Sequence, residues 1–118
     1  SLEFTYNFAE ETNTEMVNFY SAMAYPGSPL HLEARKNKIK LPDSYSGYSK
    51  HSYDKQNLPS KNLSAAEILS FRDKAWDKYH TNPKYLKLLE SKFGINAVNN
   101  LKKTTKIKLK RKLLGDKI

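Results

Sequence analysis

Polar and apolar residues change period several times along the chain, and each change marks an element. Leu2 to Glu11 carries the helical period. Leu2, Thr5 and Ala9 share one side, and Phe4 and Phe8 form an i,i+4 pair beside it. Ser1 is placed to cap this helix, Glu3 suits the positive end of its dipole, and Asn13-Thr14 ends it. Met16 to Ala24 switches to a period of two. Val17, Phe19, Ser21 and Met23 face one way, and Asn18, Tyr20, Ala22 and Ala24 the other. Both faces are mainly apolar, which predicts a strand covered on both sides. A single strand makes no sheet, and no other segment reads as a good strand. Together with the abrupt opening helix, this suggests a chain cut from something longer.

Tyr25-Pro26-Gly27-Ser28-Pro29 is a turn. Pro26 presets φ, Gly27 frees a position of its Cβ, and Pro29 can open the next helix. That helix, Leu30 to Asn37, turns Leu32 and Ala34 inward and ends on basic residues, Arg35, Lys36 and Lys38. Ile39 to Leu63 has no period and is rich in Ser, Tyr, Asn and Pro. A loop of this length is usually functional or ordered by a partner. Its tyrosines, Tyr45, Tyr48 and Tyr53, bring apolar area with a polar tip.

The clearest helix runs from Ser64 to His80. Ser64 and Glu67 spell a capping box, and Ile68, Phe71, Ala75 and Tyr79 form its stripe, widened by Leu69 and Trp76. Asn82-Pro83 starts a second helix that buries Tyr85, Leu86, Leu89 and Phe93 and stops at Gly94. A third is predicted from Asn96 to Leu114 along Val98, Leu101, Thr105, Leu109 and Leu113.

Composition narrows the classes. At 118 residues with 38% hydrophobic and 28% charged positions, the chain is one domain in size with a modest core. The N-terminus has no apolar leader pattern, and no apolar run is long enough to span a bilayer. With no cysteine, disulfides and thiolate-held zinc or iron–sulfur sites are excluded within these residues. A cytoplasmic, reducing location is expected. The net charge of +9 is uneven. Residues 1–59 carry six basic against seven acidic side chains, and residues 60–118 carry fifteen against five.

Several groups could carry chemistry. His31, His51 and His80 are scattered without helical metal-ligand spacing. The four glycines make no phosphate loop, and Ser28 is not set in a nucleophile elbow. Lys102, Lys103, Lys106, Lys108, Lys110, Arg111 and Lys112 could bind phosphates. On the predicted helix, however, they spread around every face outside the stripe, as on a solvated helix. Arg72 lies within an apolar arc and needs a partner. An internal ion pair with Asp43 or Asp54 competes there with a docking contact to another domain. The loop Tyr45-Ser-Gly-Tyr48-Ser-Lys-His51-Ser-Tyr53 could line a pocket or simply pack on the core.

One likeness covers nearly the whole chain. Asn18-Phe-Tyr-Ser-Ala-Met-Ala-Tyr-Pro-Gly-Ser-Pro-Leu30 resembles the last strand and following turn of a radical S-adenosylmethionine barrel. Leu41-Pro42, Tyr45 to Ser52, Leu58-Pro59, Leu63 to Asp73, Asn82 to Leu86 and Lys92-Phe-Gly94 are similar to the C-terminal region of the cobalamin-binding branch of that family. The resemblance implies a mainly α fold, an α+β fragment. Residues 1–38 would be the last helix–strand unit of the partial barrel, residues 39–63 a linker and substrate-side loop, and residues 64–115 a three-helix C-terminal extension.

It further implies an oxidoreductase or methyltransferase whose 4Fe–4S cluster, S-adenosylmethionine and cobalamin are held mainly elsewhere, because the cluster cysteines are absent here. Tyr25, Pro26, Gly27 and Ser28 would lie on the S-adenosylmethionine side, mostly through backbone. Asn18, Tyr20, Tyr48 and His51 would lie on the substrate side, with no residue catalytic. The partners implied are the remainder of the barrel, the cobalamin domain and a small-molecule substrate, with neither a membrane span nor nucleic acid. The competing expectation is a free-standing basic helical module that binds nucleic acid or an acidic protein.

Overall fold

The computed structural model describes residues 1–118 and is mainly helical. Five helices follow in order: α1 Leu2–Thr12, α2 Pro29–Lys36, α3 Ala65–Thr81, α4 Pro83–Phe93 and α5 Ile95–Thr105. Two short 3-10 turns lie at Tyr45–Tyr48 and Lys112–Leu114, and there is no strand. The residues group into two compact units. The first comprises Ser1–Phe19 and Phe71–Lys108, and the second Tyr20–Ser70 and Leu109–Ile118.

Helix boundaries follow the local chemistry. Ser1 Oγ accepts the Phe4 N–H (3.2 Å), and α1 stops where Asn13 turns left-handed at φ 50°. Ser64 and Glu67 close the capping box at the start of α3, with Ser64 N–H on Glu67 Oε2 (2.8 Å) and Glu67 N–H on Ser64 Oγ (3.1 Å). Asn82 Oδ1 accepts the Lys84 N–H (3.0 Å), and Pro83 opens α4. Gly94, at φ 88°, separates α4 from α5.

The first unit packs around Tyr6, Ala75, Tyr79 and Tyr85, with Phe19, Phe71, Leu89 and Leu101 against them. Its interior is aromatic: Tyr79 lies 4.9 Å from Tyr85 and 6.1 Å from Phe19, centroid to centroid. The inner face of α1 is therefore Leu2, Tyr6 and Ala9, whereas Phe4 and Phe8 point to solvent. Phe93, expected inside, is also exposed. The second unit packs Ala24, Ala34 and Leu58 with Ile39 and Leu41. Beside them the fully buried Asn57 donates Nδ2–H to the carbonyls of Leu58 and Ala65, both 3.1 Å.

Two expected elements do not form. Met16 to Ala24 forms neither helix nor strand, with a bend at Met16. The period of two survives in burial: Val17 and Phe19 are half-buried and Ser21 and Met23 buried, while Met16, Asn18, Tyr20 and Ala22 are exposed. A strand requires a laterally paired neighbour, and only the Leu58 N–H, bonded to Ala22 O at 2.9 Å, pairs with this backbone main chain to main chain. No N–H from Met16 to Ala24 donates a hydrogen bond. Side chains hold two carbonyls just before the stretch and one within it. Tyr79 Oη donates to Thr14 O (2.9 Å), Tyr85 Oη to Glu15 O (2.7 Å) and Arg72 Nε to Phe19 O (2.8 Å).

The last helix ends at Thr105 rather than Leu114. Beyond it, Lys102–Lys106, Lys106–Lys110 and Lys108–Lys112 would stand as like charges at i,i+4, and Thr104, Thr105 and Ile107 are β-branched. The wheel that spread the basic residues around one helix therefore does not apply after Lys106. Lys108 pairs with Asp77, and Arg111 is fully buried.

Candidate functional site

The turn that opens α2 and the loop that carries Tyr48 both belong to the second unit. In the turn, Ser28 N–H (3.1 Å) and Ser28 Oγ (2.6 Å) both donate to Tyr25 O, and Ser28 Oγ accepts the His31 N–H at 3.1 Å. The Ser28 hydroxyl is thus committed to capping α2 and has little capacity left for a ligand. Gly27 sits at φ 88° in open space, with nothing within 4 Å of where a Cβ would be. The backbone groups of Pro26 and Gly27 make no internal hydrogen bond, so this turn presents peptide edges to whatever meets it.

Helix α2 carries the half-buried His31 to the loop. Its Nε2 lies 3.5 Å from Tyr48 Oη, at the long limit of a hydrogen bond, and the Tyr48 ring stands 6.1 Å from Tyr25 at an interplanar angle of 32°. The loop is ordered by its own polar groups. Ser44 and Ser46 hydroxyls both donate to Asp54 Oδ2. Ser52 Oγ donates to Ser46 O (2.6 Å), and the Gln56 N–H reaches Gly47 O (3.0 Å). The Ser46 hydroxyl, with help from Ser44 and Ser52, holds the Asp54 carboxyl below the usual carboxylate range. Gly47 is required on steric grounds, since a Cβ there would meet Pro42 Cβ at 2.5 Å.

Of the residues singled out from sequence, Tyr25, Ser28 and Tyr48 come together, with His31 as the added member. Tyr20, which is 60% exposed, lies under the Lys50 ammonium at 3.8 Å from its ring centroid. Pro26 and Gly27 form the exposed tip. His51 is exposed and joins no contact with the others, and the exposed Asn18 lies in the first unit.

Family models, curated proteins and solved structures were all compared with this chain, and none matches it. The chemistry of the site thus rests on its geometry. No three His, Cys, Asp or Glu side chains gather as a metal set. Phenol, imidazole and free peptide edges suit contact with a flat, polar molecule, and no nucleophile–base pair is assembled.

Arg72 forms the internal ion pair expected of it with a different partner, and one contributor, Arg111, escapes the sequence pattern. Arg72 pairs with its neighbour Asp73 (2.9 Å) and the Phe19 carbonyl, not with Asp43 or Asp54. The basic run predicts Arg111 as one more solvated cation, yet it is buried against the Tyr48 loop, with Nη1 donating to Lys50 O and Ser52 O, both 3.0 Å. A signal was present: it is the one arginine in a run of lysines, and a guanidinium tolerates burial against carbonyls better than an ammonium. The first unit has a cleft of its own, about 350 Å³, between α1 (Glu3, Tyr6, Asn7) and α3 (Phe71, Lys74, Lys78). Lys78 Nζ lies 4.7 Å from the Tyr6 ring centroid. Burial first, and then the Glu10 carboxylate, push the Tyr6 phenol far up, and its hydroxyl has no partner in hydrogen-bond geometry.

Proposed function

We propose that this chain is the C-terminal part of a cobalamin-type radical S-adenosylmethionine enzyme, in which it supplies the last strand of the barrel and shapes the active-site mouth. The observation that carries this reading is the stretch from Met16 to Ala24. It forms neither helix nor strand, alternates in burial from Met16 to Met23, and leaves every N–H undonated. Such a segment fits beside a strand that these residues do not contain. The exposed peptide edges at Pro26-Gly27 follow directly, at the end of the stretch where the resemblance puts S-adenosylmethionine.

The cofactors fit unequally. A cluster needs thiolates, and these residues contain none. Cobalamin has no candidate ligand set in this chain. For S-adenosylmethionine, the Pro26 and Gly27 backbone and the Tyr25 ring are free to meet a base edge, while the Ser28 side chain is not. When bound with its cluster, that cofactor supplies a carbon radical. The residues here would orient its nucleoside and, through Tyr48 and its loop, narrow the approach of substrate. The full protein would then act as an oxidoreductase or methyltransferase in the cytoplasm.

The test is to sequence the reading frame upstream of the Ser1 codon and express it whole under anaerobic conditions. The expected result is a Cys-x₃-Cys-x₂-Cys motif several α/β units earlier, with reductive cleavage of S-adenosylmethionine to 5′-deoxyadenosine. A start codon directly before Ser1 overturns the reading. The basic module then takes its place, and salt-dependent duplex binding through exposed Lys102, Lys103, Lys106, Lys110 and Lys112 becomes the expectation.

A further inference from the structure

We propose that the segment Leu109–Asp116 is a clip that fixes the Tyr48 loop, with Arg111 as its positioning residue. The inference deepens the reading above, because it takes that loop as the substrate-side wall. The contacts are reciprocal. From the clip, Arg111 Nη1 donates to the carbonyls of Lys50 and Ser52, and the Lys112 N–H donates to Tyr53 O at 2.8 Å. From the loop, Tyr53 Oη donates to Asp116 O at 2.7 Å. The clip is itself closed. The Arg111 N–H donates to Asp116 Oδ2 (2.8 Å), the Asp116 N–H to Arg111 O (3.1 Å), and Gly115 turns the chain back at φ 84°.

Arg111 is completely buried while Lys110 and Lys112 on either side are exposed, so the chain selects this one cation for the interior. Its Nη1 carries two N–H groups fixed in the guanidinium plane, and these hold two carbonyls two residues apart in one geometry, where a freely rotating ammonium holds them less firmly. What it grips is rigid. Ser52 Oγ ties residue 52 to the Ser46 and Ser49 carbonyls, and the Gln56 N–H ties the loop's return to Gly47. A shift at Lys50–Tyr53 is therefore passed to the 3-10 turn Tyr45–Tyr48, whose last residue faces Tyr25 and His31. Arg111 holds the Lys50 and Ser52 carbonyls. It acts through the loop.

The test uses the 118-residue chain with hydrogen exchange read by segment and the ring resonances of His31 read by NMR. Arg111→Met is expected to raise exchange across residues 45–56 by about tenfold or more, with α4 and α5 changed by less than about twofold. The His31 ring signals should move in the direction given by Tyr48→Phe. Arg111→Lys should restore part of the protection, Tyr53→Phe should lose a smaller part, and Lys110→Met, an equal charge change on an exposed neighbour, should do neither. The proposal is overturned if exchange rises alike in both units, if 45–56 stays protected with His31 unmoved, or if lysine rescues completely. Should Arg111→Met not fold, Tyr53→Phe and Arg111→Lys decide by the same two readouts. The assay needs no cluster, so its failure leaves the enzyme reading standing. A frame without cysteines would sink that reading and leave the clip.

Discussion

Two phenols anchor the backbone just before the Met16–Ala24 stretch, and removing them gives a measurable deficit. Tyr79→Phe and Tyr85→Phe keep both rings, 4.9 Å apart in the core of the first unit, and delete only the bonds to the Thr14 and Glu15 carbonyls. A neutral hydrogen bond contributes about 0.5–1.5 kcal/mol net. Thr14 is exposed and its carbonyl can recover water, whereas Glu15 is half-buried. The first change should therefore cost about 0.5–1 kcal/mol and the second about 1–1.5 kcal/mol. The double variant should lose about 2 kcal/mol, roughly 8 °C of Tm for a chain of this size. Urea melts followed through the single tryptophan, Trp76, report on this unit, because that ring stacks on His80 at 4.4 Å. Tyr79→Ala, which also empties a fully buried site, sets the upper bound at about 3–5 kcal/mol. A double variant within about 0.5 kcal/mol of the parent would show that the phenols do not hold the stretch. A loss near the alanine value would show that the rings had moved. Burial raises both phenols above their usual range. Stability from their neutral forms is complete below pH 10 and declines as pH rises through the raised values, a decline the double variant should not show.

Three further outcomes test other parts of the fold. Gly47→Ala should destabilise the second unit by about 1–3 kcal/mol in a urea melt, since the added carbon meets the Pro42 ring, which cannot swing away. His80 is pushed down, by burial first and by the Arg72 charge as well, while the Trp76 carbonyl and Asp77 oppose this. Its neutral form is favoured in the fold, so stability is fully present above pH 6.5 and falls as pH drops below it. In His80→Phe, thermal melts should lose that slope. Ser64→Ala opens the capping box and should cost about 1 kcal/mol, read as increased amide exchange in the first turn of α3.

The helices were legible because their signals are local. Ser64-x-x-Glu67, Asn82-Pro83 and Gly94 each fix a boundary through a contact made within four residues, and those boundaries appear where the sequence puts them. The inward faces of α3 and α4 were legible through their period, apart from Phe93. What was not legible depends on contacts distant in sequence. Leu2, Thr5 and Ala9 share one side of α1 by spacing, but Thr5 is exposed and Tyr6 is the residue that α1 turns to α3. Arg72 looked for a carboxylate in the long loop and found one at the next position, together with a carbonyl far back in the chain. The candidate site was half legible. Tyr25 and Tyr48 were identified and do meet, whereas the pairing of Tyr48 with His31 and the insertion of Arg111 require knowing how the loop folds back.

The stretch from Met16 to Ala24 bears most directly on what the chain is for. Exposed sheet edges in proteins that work alone are guarded by lysine, proline or bulges. Between Met16 and Ala24 there is no charged residue and no proline. Met16 is 83% exposed and Tyr20 60%, so large apolar side chains stand among the exposed set, with the Lys50 ammonium over the Tyr20 ring as the nearest charge. An unpaired, uncharged, alternating segment makes self-pairing the expected fate of the isolated chain. The 118-residue chain should therefore associate as its concentration rises, and Tyr20→Lys, which places a charge at the middle of the edge, should keep it monomeric in sedimentation at the same concentration. If the parent chain stays monomeric throughout, the edge is not available for pairing, and the barrel reading loses the observation it rests on.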